Sequence, residues 1–393
     1  MGWRKKLHRA KRLHRPSLKD WECDGLHEEF HEFAQSLPEE PSEFIPTRNA
    51  HATTRSNLPA ILDASVVSAN EFWHKFEGHS IPCLINNIPN GYDGGNYVGE
   101  WPAVRKWTFD SFEESPLRER VFKCGEDDDG NSIKVKLKYF LRYLKKNRDD
   151  SPLYVFDSAF ERDKLSKSLL TDYTVPSYFS DDLFRLVSES RRPPYRWVLI
   201  GPERSGSTVH IDPLSTNAWN TLLHGKKRWV LFPPHIPKSI VKGRGLVRSD
   251  EDDEAAHYFM TILPRIKRKA ATLRNSDDYR DFCCYEFTQN AGETVFVPHD
   301  WWHAVLNLTD TIGVTQNYCS PRNFEAVWRK TRSGRKRMAW KFLCQLEKDY
   351  PELAIVAKEL NQRDHFRMKY DPKEAKRKDT RTGQSRRKLQ RTV

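Results

Sequence analysis

Residues 195–232 read YRWVLIGPERSGSTVHIDPLSTNAWNTLLHGKKRWVLF. Four β-rich runs, Tyr195–Ile200, Thr208–Asp212, Ala218–Leu223 and Arg228–Phe232, are separated there by Gly and Pro. The same texture resumes at Glu293–Val297, His303–Asn307 and Thr311–Gln316. Short strands with turn residues between them, and no intervening helical period, predict an antiparallel barrel or jelly roll rather than βαβ units. The expected fold class is therefore mostly β with flanking helices, an α+β protein.

Outward from this core the pattern becomes mixed. Leu26, Phe30, Phe33 and Leu37 recur at helical spacing and predict an amphipathic helix over residues 26–37. PEEPSEFIP (38–46) reads as a linker, and Ser68-Ala69-Asn70-Glu71 has capping-box form and should open a helix. A strand is expected over Ile81–Ile85, a helix over Val135–Leu144 and a strand over Leu153–Phe156. Beyond Pro321, Asn323 should cap a helix over Phe324–Lys330, another should cover Met338–Lys348, and Pro351 should open a last one. The expected organisation is a basic arm (1–19), a mixed N-terminal region packing on the core (20–150), the β core (151–320), C-terminal helices (321–365) and a disordered basic tail (366–393).

Charge is partitioned along the chain. Of 66 Lys/Arg against 54 Asp/Glu, residues 1–19 hold eight basic and no acidic residues, and residues 373–393 hold nine and two. These tails carry +15 of a net +12, which leaves −3 for residues 20–372. The expected partners of such a body are basic peptides, and the arms suit nuclear import, with RNA contact as a second use. No apolar run is long enough for a membrane span or follows the charged start as a secretory signal would. Seven cysteines without zinc-type pairing read as free thiols, and the sequon at Asn307-Leu308-Thr309 stands alone. Asp250–Glu254 (DEDDE) reads as a solvated loop or a dock for a basic segment.

The chemistry starts at His210-Ile211-Asp212. Residues i and i+2 of a strand share a face, so the imidazole and the carboxylate project together. His303 follows a strand and a Pro turn in GETVFVPHDWWH (292–303), and a jelly roll can bring it opposite that pair. Two imidazoles and one carboxylate leave coordination positions open, which is the facial triad of non-haem Fe(II) oxygenases. A chelating 2-oxoglutarate needs a cation for its far carboxylate. Lys227 shares a face with Trp229 and Leu231 and could supply it; equally, it could be an edge-strand charge.

These strings, together with FKCGEDDDG (122–130), DDSPLYVFD (149–157) and RRPPYRW (191–197), resemble the Jumonji-C family of bifunctional arginine demethylases and lysyl hydroxylases, the phosphatidylserine-receptor family. The likeness runs from about residue 105 to 345. It implies a double-stranded β-helix (cupin) core and an Fe(II)/2-oxoglutarate-dependent dioxygenase that uses O2. Protein lysines and N-methylarginines are the implied targets. His210, Asp212 and His303 are the implied catalytic metal ligands. Lys227, Thr315 and Tyr154 are implied on the 2-oxoglutarate carboxylate, with Asn220 and Asn317 lining the site. A core aromatic is the other reading of Tyr154. Implied partners are histone tails and Arg/Ser-rich splicing factors, RNA, phosphatidylserine and a second copy of the chain, in the setting of a nuclear chromatin regulator. His299-Asp300 departs from the small residues usual before Trp-Trp-His, and a long C-terminal serine tract is absent.

Two other readings compete. His27-Glu28-Glu29-Phe30-His31 matches the HExxH of zinc proteases, or is the polar flank of a helix. A degenerate β-helix could instead bind phosphatidylserine in apoptotic-cell recognition through Arg265–Lys269 and Arg335–Arg337.

Overall fold

A computed structural model of the chain describes residues 2–14, 25–38, 58–126, 131–188, 192–248, 251, 254–273 and 279–368. Most of the 38–46 linker, most of Asp250–Glu254 and nearly all of the 366–393 tail lie outside the described residues.

Strand alternation builds the core. In Lys226–Phe232 the odd residues Trp229 and Leu231 enter one apolar cluster, while Val230 and Phe232 enter another on the opposite face. In Thr294–Val297, Val295 and Val297 go inward and Phe296 outward. The period of two thus feeds three apolar layers from two sheets. One sheet runs, in spatial order, Ala60–Asp63, Cys83–Asn86, Thr294–Val297, Asn217–His224, Thr311–Tyr318, Arg196–Gly201, Val155–Asp157. The other runs Tyr285–Asn290, Lys226–Phe232, Trp302–Asn307, Gly206–His210. From Arg196 to Tyr318 the chain crosses between the sheets at each step, except where Lys226–Phe232 pairs with Tyr285–Asn290. This is the expected double-stranded β-helix. Trp229, Leu231 and Phe287 of one sheet meet Ala218, Val295 and Val297 of the other inside it.

The chain divides into two compact units. The first (1–181 and 194–318) holds both sheets. Around Trp219 and Phe296 it packs Phe72 of the Ala69–Lys75 helix and the aromatic residues Tyr178 and Phe179. The other face is covered by Phe30 of the His27–Ser36 helix and by a segment of the β region that folds into helix over residues 255–272, with Ile262, Leu263 and Ile266 buried. The second unit (182–193 and 319–393) contains Phe324–Gly334, Lys336–Asp349 and Pro351–Arg363, centred on Trp328 and Phe342.

Several expectations change. Residues 1–19 were read only as a basic arm, yet Trp3–His14 is a helix whose Leu7, Ala10 and Lys11 are buried. Lys11 pairs with Asp149 at 2.6 Å, and Asp149 also accepts from Tyr143 Oη at 2.7 Å. Residues 135–136 are not helix: Ser132–Lys136 pairs with Val121–Glu126, burying Ile133 and Val135 by alternation, and the helix starts at Leu137. Tyr285–Asn290 was not anticipated, and its mixed composition explains why. Ser68 does cap its helix, accepting from Glu71 N at 3.1 Å, whereas Asn323 accepts from Ser320 N instead. The sequon residue Asn307 is wholly buried and bonded to Ser205, so it presents no glycosylation site. No helix among the described residues is long and apolar enough to cross a membrane.

Candidate metal and cosubstrate site

His210 is the last residue of Gly206–His210, and His303 sits in the adjacent strand Trp302–Asn307 as its direct register partner. Their ring centroids are 4.2 Å apart. Asp212 lies beyond the strand end rather than in the strand, but its extended backbone (φ −62°, ψ 145°) preserves the alternation that points it to the same side. Its Oδ1 is 3.9 Å from Nε2 of each histidine. One ligand atom from each residue falls within 4.8 Å of the others, a spacing that one ion can bridge.

The outer shell fixes the imidazoles. His210 Nδ1 meets the Thr208 carbonyl at 2.7 Å and His303 Nδ1 meets the Trp301 carbonyl at 3.1 Å. A carbonyl accepts only from N–H, so both Nε2 lone pairs face each other and Asp212, ready for a cation. Burial, with His210 nearby, pushes the His303 imidazolium down to about 4, which keeps the ring neutral at physiological pH. The donor set therefore fits iron.

Lys227 is the candidate cation for a cosubstrate carboxylate. It is fully buried on the inward face, and burial lowers its ammonium to about 7. Its only hydrogen bond among the described residues is a long one, 3.5 Å, to Asn220 Oδ1. Its register partner Asn307 has a buried Oδ1 with no partner. An under-partnered buried cation fits a ligand carboxylate, and the edge-strand reading does not survive, since Lys227 lies in a strand paired on both sides.

Asn220 and Thr315 are direct cross-strand partners, as are Ala218 and Asn317, so the alternation brings Asn220, Thr315 and Asn317 together on two adjacent strands. The Thr315 hydroxyl donates to the Trp219 carbonyl at 2.8 Å and must rotate to donate to a carboxylate. Asn317 Nδ2 donates to Thr216 Oγ1 at 3.0 Å. Tyr154 packs against Gly201, where a side chain would collide with both its ring and Asn307. Its hydroxyl has no partner among the described residues, and burial raises its pKa.

Sequence reading missed the loops that carry the triad. Leu214, Ser215 and Asp300 have φ of 61°, 54° and 62°. Left-handed non-glycine residues cost on the order of 1–3 kcal/mol each and persist only where surroundings enforce them. Ser215 Oγ donates to Asp300 Oδ1 at 2.8 Å, and His299 N donates to Asn217 Oδ1 at 2.9 Å. The His27 side chain of the HExxH reading lies outside the described residues; among those described, the triad is the one metal-ligating group found.

Fold and site together define an iron- and 2-oxoglutarate-dependent oxygenase of the cupin type. Residues 197–318 match the family model described as JmjC domain, hydroxylase, and the chain belongs to that family. It is 38% identical to the bifunctional arginine demethylase and lysyl-hydroxylase psr-1 of Caenorhabditis elegans over 90% of this chain and 80% of that protein. It is also 35% identical to the arginine-specific demethylase JMJ22 of Arabidopsis thaliana, over 65% of this chain and 45% of the other. The mouse 2-oxoglutarate and iron-dependent oxygenase JMJD4 is 29% identical over 70% of this chain and 64% of its own length.

Proposed function

We propose that His210, Asp212 and His303 hold Fe(II), that Lys227 with Thr315 and Tyr154 holds the far carboxylate of 2-oxoglutarate, and that Asn220 and Asn317 line the remaining wall. The substrates are lysine or N-methylarginine side chains in basic protein segments such as histone tails or Arg/Ser-rich splicing factors. The observation that carries the reading is a buried, under-partnered lysine in the same barrel as an open three-residue metal set.

Bound iron and O2 would supply the oxidising power that converts a substrate C–H to C–OH while 2-oxoglutarate becomes succinate and CO2. The chain's own residues do the rest. Asp212 contributes the negative charge that offsets the cation. The carbonyls of Thr208 and Trp301 hold the imidazoles in register. Lys227 takes its ammonium form when the cosubstrate carboxylate replaces water, and the apolar wall of Trp229, Leu231 and Val295 excludes solvent around it. On lysine the product is hydroxylysine; on N-methylarginine the hydroxymethyl product releases formaldehyde and leaves N–H.

The substrate class is supported by the name of the psr-1 relative and by the −3 charge of residues 20–372, which complements a cationic peptide. Nuclear action is proposed on the basic termini. The phosphatidylserine alternative gains little: in its basic cluster, Arg265 is paired with Glu251 and Lys267 with Glu286. The test is mass spectrometry of lysine and N-methylarginine peptides after turnover. Gain of one oxygen on lysine, or loss of a methyl carbon from arginine, is expected; peptides unchanged while succinate forms would reject this substrate class.

A further inference from the structure

We propose that the Ser215–Asp300 hydrogen bond is a latch that sets the spacing of the metal ligands, making Asp300 and Ser215 positioning residues. The inference rests on the triad being the metal site. The three ligands come from two distant segments. The loop after Asp212 passes through Ser215 to Asn217, and the turn before His303 passes through His299 and Asp300 to Trp301. Ser215 lies three positions after Asp212 and Asp300 three positions before His303, so any slip of either loop is passed to a ligand.

Two cross-links join these loops: Ser215 Oγ to Asp300 Oδ1 at 2.8 Å and His299 N to Asn217 Oδ1 at 2.9 Å. The second is anchored further, since Asn217 Nδ2 donates at 3.0 Å to Glu77 Oε1, which also accepts from Tyr318 Oη at 2.9 Å. Ser215, Asn217 and Glu77 are buried while His299 and Asp300 are half-buried, so these bonds are shielded from one side. Ser215 and Asp300 each occupy the left-handed region that glycine fills without strain. A strained backbone at both ends of one hydrogen bond marks a geometry that the surroundings enforce, this bond among them. The turn at Asp300 also presents the Trp301 carbonyl to His303 Nδ1, so the latch orients a ring as well as setting a distance.

The test uses the full chain with Co(II) as probe, read by its visible absorption and by titrated affinity. Asp300→Gly accepts the left-handed backbone and removes the bond; Ser215→Ala removes it from the other side; Asp300→Asn keeps an acceptor and tolerates the backbone. Removal of groups that orient a metal ligand typically weakens metal binding 10–100-fold, and roughly tenfold is expected here for Asp300→Gly and for Ser215→Ala. The double variant should be no weaker than either single, Asp300→Asn should bind like the parent protein, and metal-free thermal unfolding should show all variants folded. Parental affinity in both single variants, or losses that multiply in the double, would overturn the latch. If Asp300→Asn binds as weakly as Asp300→Gly, the charge and not the bond is what matters, and the latch is again overturned. If the parent protein itself binds no Co(II), the metal reading fails first.

Discussion

The rings of His210 and His303 oppose each other at 4.2 Å on directly paired residues of neighbouring strands, with Asp212 Oδ1 3.9 Å from each Nε2. The arrangement is one that a cation completes. Replacing Asp212 with Ala should remove stoichiometric iron and leave circular dichroism unchanged, because the site contributes coordination rather than packing. Iron retained after dialysis of Asp212→Ala would contradict this.

Lys227 yields a pH prediction. Its ammonium ordinarily titrates near 10.5 and is lowered to about 7 by burial. Between those values the unfolded chain keeps a proton that the ligand-free fold has lost, so stability should rise as pH is raised from about 7 toward 10.5. Below about 7 both states are protonated and the full cost of the buried charge is present. A bound carboxylate needs the charged form, so 2-oxoglutarate affinity should fall as pH rises above about 7. Lys227→Met should weaken cosubstrate binding by about 2–3 kcal/mol, the worth of a charged hydrogen bond, while leaving the ligand-free protein as stable or more so at neutral pH. Calorimetric titration and urea melts at several pH values read both.

Gly206 controls how closely the two histidine strands approach. It pairs with Leu306, and a Cβ there would run into the Val305 carbonyl, a backbone atom that cannot step aside. Gly206→Ala should separate His210 from His303, cost on the order of 3 kcal/mol in urea unfolding and lower iron affinity together. Stability lost with iron affinity intact would show that the metal site tolerates a change in strand spacing.

The N-terminal helix is tied down by a buried charge. Lys11 and Asp149 are almost fully shielded, and removing one partner of such a pair typically costs about 3–5 kcal/mol. Lys11→Ala should therefore destabilise the fold by about that amount and expose Trp3–His14 to limited proteolysis. Lys5→Ala, at an exposed position of the same helix, should do neither.

The legible parts of this molecule were those where a period and a chemical type coincide. Lys227 between Trp229 and Leu231, and His210 two residues from Asp212, declare their faces by alternation alone. Tyr285–Asn290 shows the opposite: it carries Glu286, Thr288 and Gln289, and pairing rather than propensity makes it a strand. The helix Trp3–His14 was obscured because its charges outnumber its apolar residues, while among its described side chains Leu7, Ala10 and the stem of Lys11 set the buried stripe. The Ser215–Asp300 contact was out of reach for a different reason. It depends on two left-handed residues in loops 85 positions apart, and nothing local signals either the conformation or the partner.

The most direct test of the central claim is turnover under isotopically labelled O2 with a basic lysine and N-methylarginine peptide, iron and 2-oxoglutarate, run beside Asp212→Ala. The intact protein should form succinate carrying one labelled oxygen while it places label in hydroxylysine or releases formaldehyde from N-methylarginine, and Asp212→Ala should do none of these. Unlabelled succinate, or equal turnover by Asp212→Ala, would contradict the account.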